Sequence, residues 1–321
     1  MNFYKKIILI GLLCCSHLSY AEKSPPLIRL GVLAFGTVNW ELEAMKQAGL
    51  ITTADYRVQI TKMANPQAGK IALQSGSVDM IVADWVWVSY QRSLGRDYSF
   101  YPYSNTTGAL VVNKKSAIQT WRDLKGKKLA IAGGELDKNS LLLQAVMLQA
   151  NEPHLFTEIN KVYGAPPLLS HQLKVQRVDG LLTYWHYAAK LEAEGFKVLM
   201  RGADLLQQLG IKQQVPSIGY VFNREWANQH KTAIQAFLAT TKQTKNNLCE
   251  QDNRWQGIET LIRAASAKSN QLLREKYCAG RIVNWGEAEQ HAADDIYQIF
   301  KRLSNKRLTG NSEHLEQGTF W

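Results

Sequence analysis

The chain has 321 residues, of which 45% are hydrophobic and 20% charged, and its formal net charge is +11 at pH 7. It contains no repeat, no low-complexity segment and no long linker, which excludes repeat and low-complexity architectures, and its length is enough for one large domain or two lobes. The basic residues are scattered rather than clustered, so we expect a generally basic surface and no nucleic-acid partner.

The first 21 residues have the pattern of a secretory signal peptide. Lys5 and Lys6 precede a short apolar run over residues 7–13, and Ser19-Tyr20-Ala21 is a small-x-small cleavage pattern. The apolar run is much shorter than the roughly 20 residues of a membrane helix. We therefore expect cleavage after Ala21 and a periplasmic location.

After the signal peptide, strand-like and helical stretches alternate. This alternation predicts an α/β fold with mostly parallel sheets. The strand candidates are residues 28–33, 56–63, 80–85, 109–113, 128–132, 180–184, 197–200 and 218–223. The helical stretches between them include residues 39–48, 66–75, 140–149, 168–176 and 186–194.

From about Arg224 the pattern becomes helical, with no convincing strand. Helices are predicted over residues 224–247, 253–264, 268–279 and 285–303. Asn284 is expected to cap the last of these, with Glu287 completing a capping box. Such a region needs an earlier sheet to pack on, so we expect it to cover the first lobe.

Cys249 and Cys278 are the cysteines that remain after cleavage at Ala21. Two cysteines in an oxidising compartment usually pair, which predicts a Cys249–Cys278 disulfide. The alternative is two buried free thiols.

The residues that follow the predicted strands combine aromatic side chains with polar ones. Ligands of open parallel sheets bind beyond the carboxyl ends of the strands, so these positions predict a cleft for a small organic molecule. The alternative is that each tryptophan packs in the core of its own lobe. The predicted ligand-binding residues are Phe35, Asn39, Trp40, Asp84, Trp85, Gly134, Asp137, Lys138, Tyr184 and Trp185.

The composition of this cleft leaves two ligand classes open. The aromatic side chains and Asp84 favour a ligand with an aromatic or amine part. The alternative is an organic anion such as a sulfonate, held by Lys138 and the helix start after Gly133 and Gly134. No dinucleotide, phosphate-loop, nucleophile-elbow or zinc-protease motif occurs, so no catalytic residue, metal or cofactor is predicted.

Three segments resemble a known family. They are the strand that begins Ile28-Arg29-Leu30-Gly31-Val32, the element Gly76-Ser77-Val78-Asp79 after a helix, and Asp123-Leu124-Lys125-Gly126-Lys127-Lys128-Leu129-Ala130. Together they resemble the nitrate/sulfonate/taurine-type solute-binding proteins of ABC transporters, the SsuA/THI5-like (NMT1) family. The resemblance covers roughly residues 28 to 240, and the last element fixes the fold better than the ligand.

The resemblance implies a type II periplasmic binding protein, a monomer with two α/β lobes joined by two chain crossings. We place the crossings near residues 105–109 and 216–220, so lobe 1 is 27–106 plus 220–321 and lobe 2 is 107–219. The family also implies a ligand bound between the lobes and an inner-membrane ABC permease with its ATPase as partners. One departure is the turn Gly133-Gly134-Glu135-Leu136-Asp137, whose acids disfavour a simple inorganic anion.

Two other functions remain open. One is an accessory protein that docks on another periplasmic protein without transport. The other is an enzyme like the pyrimidine synthases of thiamine biosynthesis, which share this fold. Their cysteine-rich motif is absent here, and a signal peptide disfavours cytosolic biosynthesis.

Overall fold

The computed structural model describes residues 24–321, so the predicted signal peptide lies outside the described residues. Within that range, no helix is both long and apolar enough to cross a membrane. The chain forms two five-stranded sheets flanked by helices, which confirms the predicted α/β fold.

The first sheet combines strands from the beginning and the later part of the chain. Its strands are β1 (Leu27–Leu33), β2 (Arg57–Met63), β3 (Met80–Ala83), β4 (Tyr98–Ser104) and β10 (Ile218–Asn223). Their order is β2-β1-β3-β10-β4, and only β10 runs opposite to the others.

The second sheet repeats this topology with residues from the middle of the chain. Its strands are β5 (Ala109–Val112), β6 (Lys128–Ala132), β7 (Asn160–Gly164), β8 (Gly180–Thr183) and β9 (Lys197–Arg201). The order is β7-β6-β8-β5-β9, and β5 alone is reversed. The central strands β5 and β8 are buried throughout, because helices cover both faces.

Most helices follow a strand directly. The helices up to β10 are α1 (Val38–Gln47), α2 (Pro66–Gln74), α3 (Trp85–Ser93), α4 (Lys138–Gln149), α5 (Leu155–Glu158), α6 (Pro166–Lys174), α7 (Trp185–Ala193) and α8 (Gly202–Gln208). The helices after β10 are α9 (Arg224–Gln229), α10 (Lys231–Glu250), α11 (Asp252–Gln256), α12 (Glu259–Ile262), α13 (Ala267–Ala279) and α14 (Glu287–Leu303).

The sequence analysis missed two strands, β4 and β7, and both lie at sheet edges. Strand β4 contains Pro102, which is tolerated at an edge because a proline has no N–H to donate to a neighbouring strand. Strand β7 is short and largely solvent-accessible, so it lacks the apolar run of a buried strand. Four predicted strands, β2, β3, β5 and β8, were also one or two residues too long. Strands β3 and β8 end at Ala83 and Thr183 because helices begin within two residues.

The helical region after β10 is confirmed, but its details differ from the prediction. The helix predicted over residues 224–247 is two helices separated at His230, and the one predicted over 253–264 is two short helices. The predicted cap at Asn284 is wrong. Helix α14 begins at Glu287, and the Glu289 carboxylate accepts a hydrogen bond of 2.8 Å from the Gly286 amide.

The C-terminal helices pack on elements of both sheets, not of the first alone as predicted. Helix α10 packs against α1, whereas α13 packs against α7 and α14 against α4. The α14–α4 contact joins apolar side chains beside both sheets into one core. The predicted disulfide is confirmed, because Cys249 of α10 and Cys278 of α13 are bonded, with their Cα atoms 5.6 Å apart.

Two segments connect the sheets, residues 105–108 and 209–217. They run side by side, since the Asn105 side chain donates to Gln214 Oε1 at 2.9 Å and the Ser217 hydroxyl donates to the Thr106 carbonyl at 2.6 Å. Gly108 is required here, because a Cβ atom would lie 2.4 Å from the Thr183 carbonyl oxygen. The division into lobes 27–106 plus 220–321 and 107–219 stays a prediction.

Candidate functional site

Helices α1 and α3 of the first sheet and α4 and α7 of the second begin just beyond the ends of parallel strands. Two contacts join the two sides. An ion pair links Asp84, before α3, to Lys138, the first residue of α4, at 3.1 Å. The rings of Trp40 in α1 and Trp185 in α7 meet edge to face, with centroids 5.9 Å apart. Four helix starts therefore surround one region between the sheets.

Asp84 is the charged centre of this region. Its carboxylate caps α3 by accepting a hydrogen bond of 2.9 Å from the Trp87 amide. Lys138 lies 3.1 Å away and Lys70 of α2 lies 3.9 Å away. Burial alone would raise the pKa of Asp84, but these two ammonium groups and the amide hydrogen bond lower it to about 2. Asp84 is therefore ionised and already paired.

The turn before α4 holds a second acid. Asp137 caps α4 by accepting a hydrogen bond of 3.0 Å from the Ser140 amide, yet burial raises the pKa of Asp137 to about 6. Gly133 has φ +100°, and a Cβ atom there would lie 3.3 Å from Asp137 Oδ2 and 3.1 Å from the Tyr184 hydroxyl. Asp137 and Tyr184 therefore both border the Gly133 turn, and the predicted Gly134 follows with φ +96°.

Aromatic side chains form one wall. Trp40 is buried and contacts Trp185, Trp255 and Tyr277, with ring centroids 5.4–5.9 Å apart. Behind them, buried Glu41 accepts hydrogen bonds from the hydroxyls of Tyr103 and Tyr277. Trp40 therefore packs in a core cluster that reaches the region between the sheets. The sequence left two interpretations open, a tryptophan in the core and a tryptophan at the cleft, and Trp40 has features of both.

Three of the predicted residues make no contact between the helix starts. Two of them hold loops in place, and the third is exposed. Trp85 is buried, and its indole N–H donates to the Pro216 carbonyl at 2.7 Å in the second connection. The Asn39 side chain donates to the Leu33 and Gly36 carbonyls at 2.8 and 2.7 Å, which holds the loop before α1. Phe35 is 83% exposed on that loop.

His186, in the first turn of α7, is a half-buried imidazole among aromatic rings. The ring of Tyr187 lies 4.5 Å from it, between centroids, and that of Trp185 5.5 Å. Within the described residues, its Nδ1 atom is buried and makes no hydrogen bond. Burial and, to a smaller extent, the charge of Lys190 lower the pKa of His186 to about 3, so the ring is neutral at physiological pH.

The sequence analysis missed several residues of this region. Lys70 lies within α2, seven residues after the end of β2, so only the fold brings it to Asp84. Asn139 follows the predicted Lys138, and its side-chain oxygen accepts a hydrogen bond of 3.2 Å from the Gly108 amide. Trp255 and Tyr277 come from the C-terminal helices, and no local pattern connects them to Trp40.

Comparisons with known proteins agree with this architecture. A putative aliphatic sulfonates-binding protein of Escherichia coli strain K12 is 28% identical over 242 residues, which is 73% of this chain and 71% of that protein. Two solved structures share the fold with TM-scores of 0.70. One is the alkanesulfonate-binding protein SsuA from Xanthomonas axonopodis pv. citri bound to MOPS, at 18% identity over 93% of this chain and 99% of that one.

The other is the periplasmic aliphatic sulphonate binding protein SsuA from Escherichia coli, at 20% identity over 93% of this chain and 100% of that one. All three relatives are named as sulfonate-binding proteins. The model of the family described as NMT1/THI5 like matches residues 46–253, more than half of the sequence. The chain belongs to the NMT1/THI5-like family.

Proposed function

We propose that this protein is the periplasmic solute-binding component of an ABC importer. It captures a small organic ligand between two lobes, 27–106 plus 220–321 and 107–219, and delivers it to an inner-membrane permease with its ATPase. The observation that carries the proposal is the Asp84–Lys138 ion pair, which joins helix starts of the two sheets at 3.1 Å. A ligand that exchanges with this pair would contact both lobes at once.

A small ligand can reach the Asp84–Lys138 ion pair. The Lys138 side chain is one-third exposed, so water and small solutes reach its ammonium group. The Asp84 side chain is 17% exposed, but it keeps Lys70 at 3.9 Å as a second cation, so its charge stays paired when a ligand anion takes Lys138. Separation of the lobes would turn backbone dihedrals in the two connecting segments and open the α13–α7 and α14–α4 contacts.

The charges favour a ligand with an anionic group. Lys70 and Lys138 both face Asp84, which they already neutralise, so a ligand amine would add a third cation to this cluster. An anion would instead take Lys138 and use the helix starts, whose free N–H groups attract negative charge. This reverses the preference for an amine drawn from the sequence. The sulfonate-binding relatives support the same direction.

The decisive experiment compares two substitutions of the ion pair. Sulfonates and amines with the same carbon skeletons are titrated into the purified protein by calorimetry, after native mass spectrometry of carried-over ligand. Lys138→Gln is expected to weaken sulfonate binding by about tenfold or more, because a charge-assisted hydrogen bond is lost. Asp84→Asn keeps a helix cap and frees Lys138, so sulfonate affinity should be unchanged or higher.

The opposite pattern, with Asp84→Asn abolishing the binding of an amine, would show that the ligand is a cation. Lys114→Gln, which changes an exposed lysine after β5, is the matched control. If neither ion-pair variant alters the binding of any retained ligand, the ligand does not bind between the sheets. Copurification with a periplasmic enzyme, without transport of any solute, would favour the accessory role instead.

A further inference from the structure

A cavity lies on the flank of the first sheet, between the edge strand β4, helix α10 and the segment before α14. Its volume is about 280 Å³, close to the lower limit of small-molecule sites. The residues that shape it most are Tyr101, Tyr220, Lys242, Lys245, Trp285 and Trp321. None of these residues was predicted to bind ligand, and none forms the contacts between the helix starts described above.

The walls of this cavity are aromatic. Tyr101 and Tyr220 are cross-strand partners in β4 and β10, so their side chains lie on the same face of the sheet. Trp321 packs edge to face on Phe222, and Trp285 on Phe320, which holds both indoles in place. Fixed aromatic walls of this kind suit a flat apolar ligand.

The charged groups of the cavity are basic. Lys242, Lys245 and Arg281 line it, and Lys242 is exposed and forms no ion pair within residues 24–321. Lys245 is buried and donates to the Tyr103 carbonyl at 3.0 Å, with buried Glu41 as its counter-charge. Arg281 pairs with exposed Glu250 at 2.9 Å. Lys242 is thus the lysine at the mouth of the cavity whose charge is available to a ligand.

Tyr220 offers a ligand no polar group. It is 1% exposed, and its hydroxyl is buried beside Thr241, out of reach of solvent. The charge that a ligand can reach in this cavity is therefore that of the basic side chains.

We propose that this cavity is a second small-molecule site, which binds an aromatic carboxylate or a similar small aryl anion. The ring would lie between Trp285 and the tyrosines, with its anionic group at Lys242. The site is independent of the region around Asp84 and Lys138, so it does not depend on the proposed transport function.

Val283 provides a test that does not disturb folding, because it lines the mouth and is 78% exposed. Benzoate is titrated into the full-length mature protein by calorimetry, together with Val283→Lys, Val283→Gln and Val283→Glu. Affinity should follow the order Lys, Gln, Glu, with about a fivefold change per unit of charge at short range in water. Benzylamine, of similar shape and opposite charge, should not bind. Lys138→Gln, which changes only the ion pair between the sheets, should leave benzoate binding intact.

Three results would overturn the proposal. The first is no benzoate binding at millimolar concentration. The second is equal affinity in the three Val283 variants. The third is loss of benzoate binding in Lys138→Gln, which would place the anion between the sheets.

Discussion

Replacing His186 by glutamine should change how the stability of the protein depends on pH. In the folded protein the pKa of His186 is lowered to about 3 from an ordinary value of 6.5, by burial first and by Lys190 second. Its place in the first turn of α7 acts in the same direction, since a helix start disfavours a cation. Glutamine is compatible with helix α7 and has no group that binds a proton in this pH range.

The lowered pKa gives the direction and size of the effect. Between about pH 3 and pH 6.5 the unfolded chain binds a proton at this residue and the folded chain does not, so acidification favours unfolding. From about pH 7.5 to about pH 5, this linkage removes about 2 kcal/mol from the free energy of unfolding. His186→Gln should lose about 2 kcal/mol less than the wild type over the same interval.

Urea titrations at several pH values, followed by tryptophan fluorescence, measure this difference. Asp137, whose pKa is raised to about 6, acts in the opposite direction, because its protonation favours the folded state as the pH falls. That contribution is common to both proteins and cancels in their difference. His171→Gln, which changes an exposed histidine of α6, is the control and should run parallel to the wild type. Parallel curves for His186→Gln and the wild type would refute the reasoning.

Three further predictions concern stability, each measured by urea or thermal unfolding. Replacing both Cys249 and Cys278 by serine should cost about 3–4 kcal/mol, because their bridge closes a loop with a sequence separation of 29; equal stabilities would contradict this. Glu41→Gln should cost about 3–5 kcal/mol by leaving Lys245 buried without its counter-charge, and the added change Lys245→Met should recover most of it. Trp85→Phe should cost about 1–3 kcal/mol, because the carbonyl in the second connection loses its donor; an unchanged unfolding temperature would exclude that role.

How far the fold could be predicted depended on burial. The buried strands β5, β6, β8 and β10 are apolar runs bounded by polar or turn residues, and they were placed within one or two residues. The edge strand β4 contains a proline and several tyrosines, so its hydrophobic pattern is weak, although it pairs with β10 over its whole length with one register shift between Ile218 and Gly219. Edge pairing is decided by the neighbouring strand, which a local pattern does not contain.

The residues of the candidate site that directly follow strands could be predicted, and those brought in by packing could not. Asp84 follows β3 of the first sheet, and Asp137 and Lys138 follow β6 of the second. The rule that ligands bind beyond the carboxyl ends of parallel strands was enough to select all three. Lys70 could not be found in this way, because its distance from Asp84 depends on how α2 packs. The orientation of Trp85 toward the second connection likewise depends on tertiary structure.

Lys70, which the sequence did not reveal as a partner of Asp84, also decides which ligand the site favours. From the sequence, Asp84 was a lone carboxylate among tryptophans, and such a group would attract an amine. In the structure it lies between Lys70 and Lys138, so its negative charge is already neutralised before any ligand arrives. Under the proposed function, the same carboxylate is a placeholder for the anionic group of a ligand, since its ion pair holds Lys138 at the region between the sheets. If Asp84 is a placeholder, Asp84→Asn should strengthen the binding of an anion. If Asp84 instead contacts the ligand directly, the same substitution should weaken ligand binding.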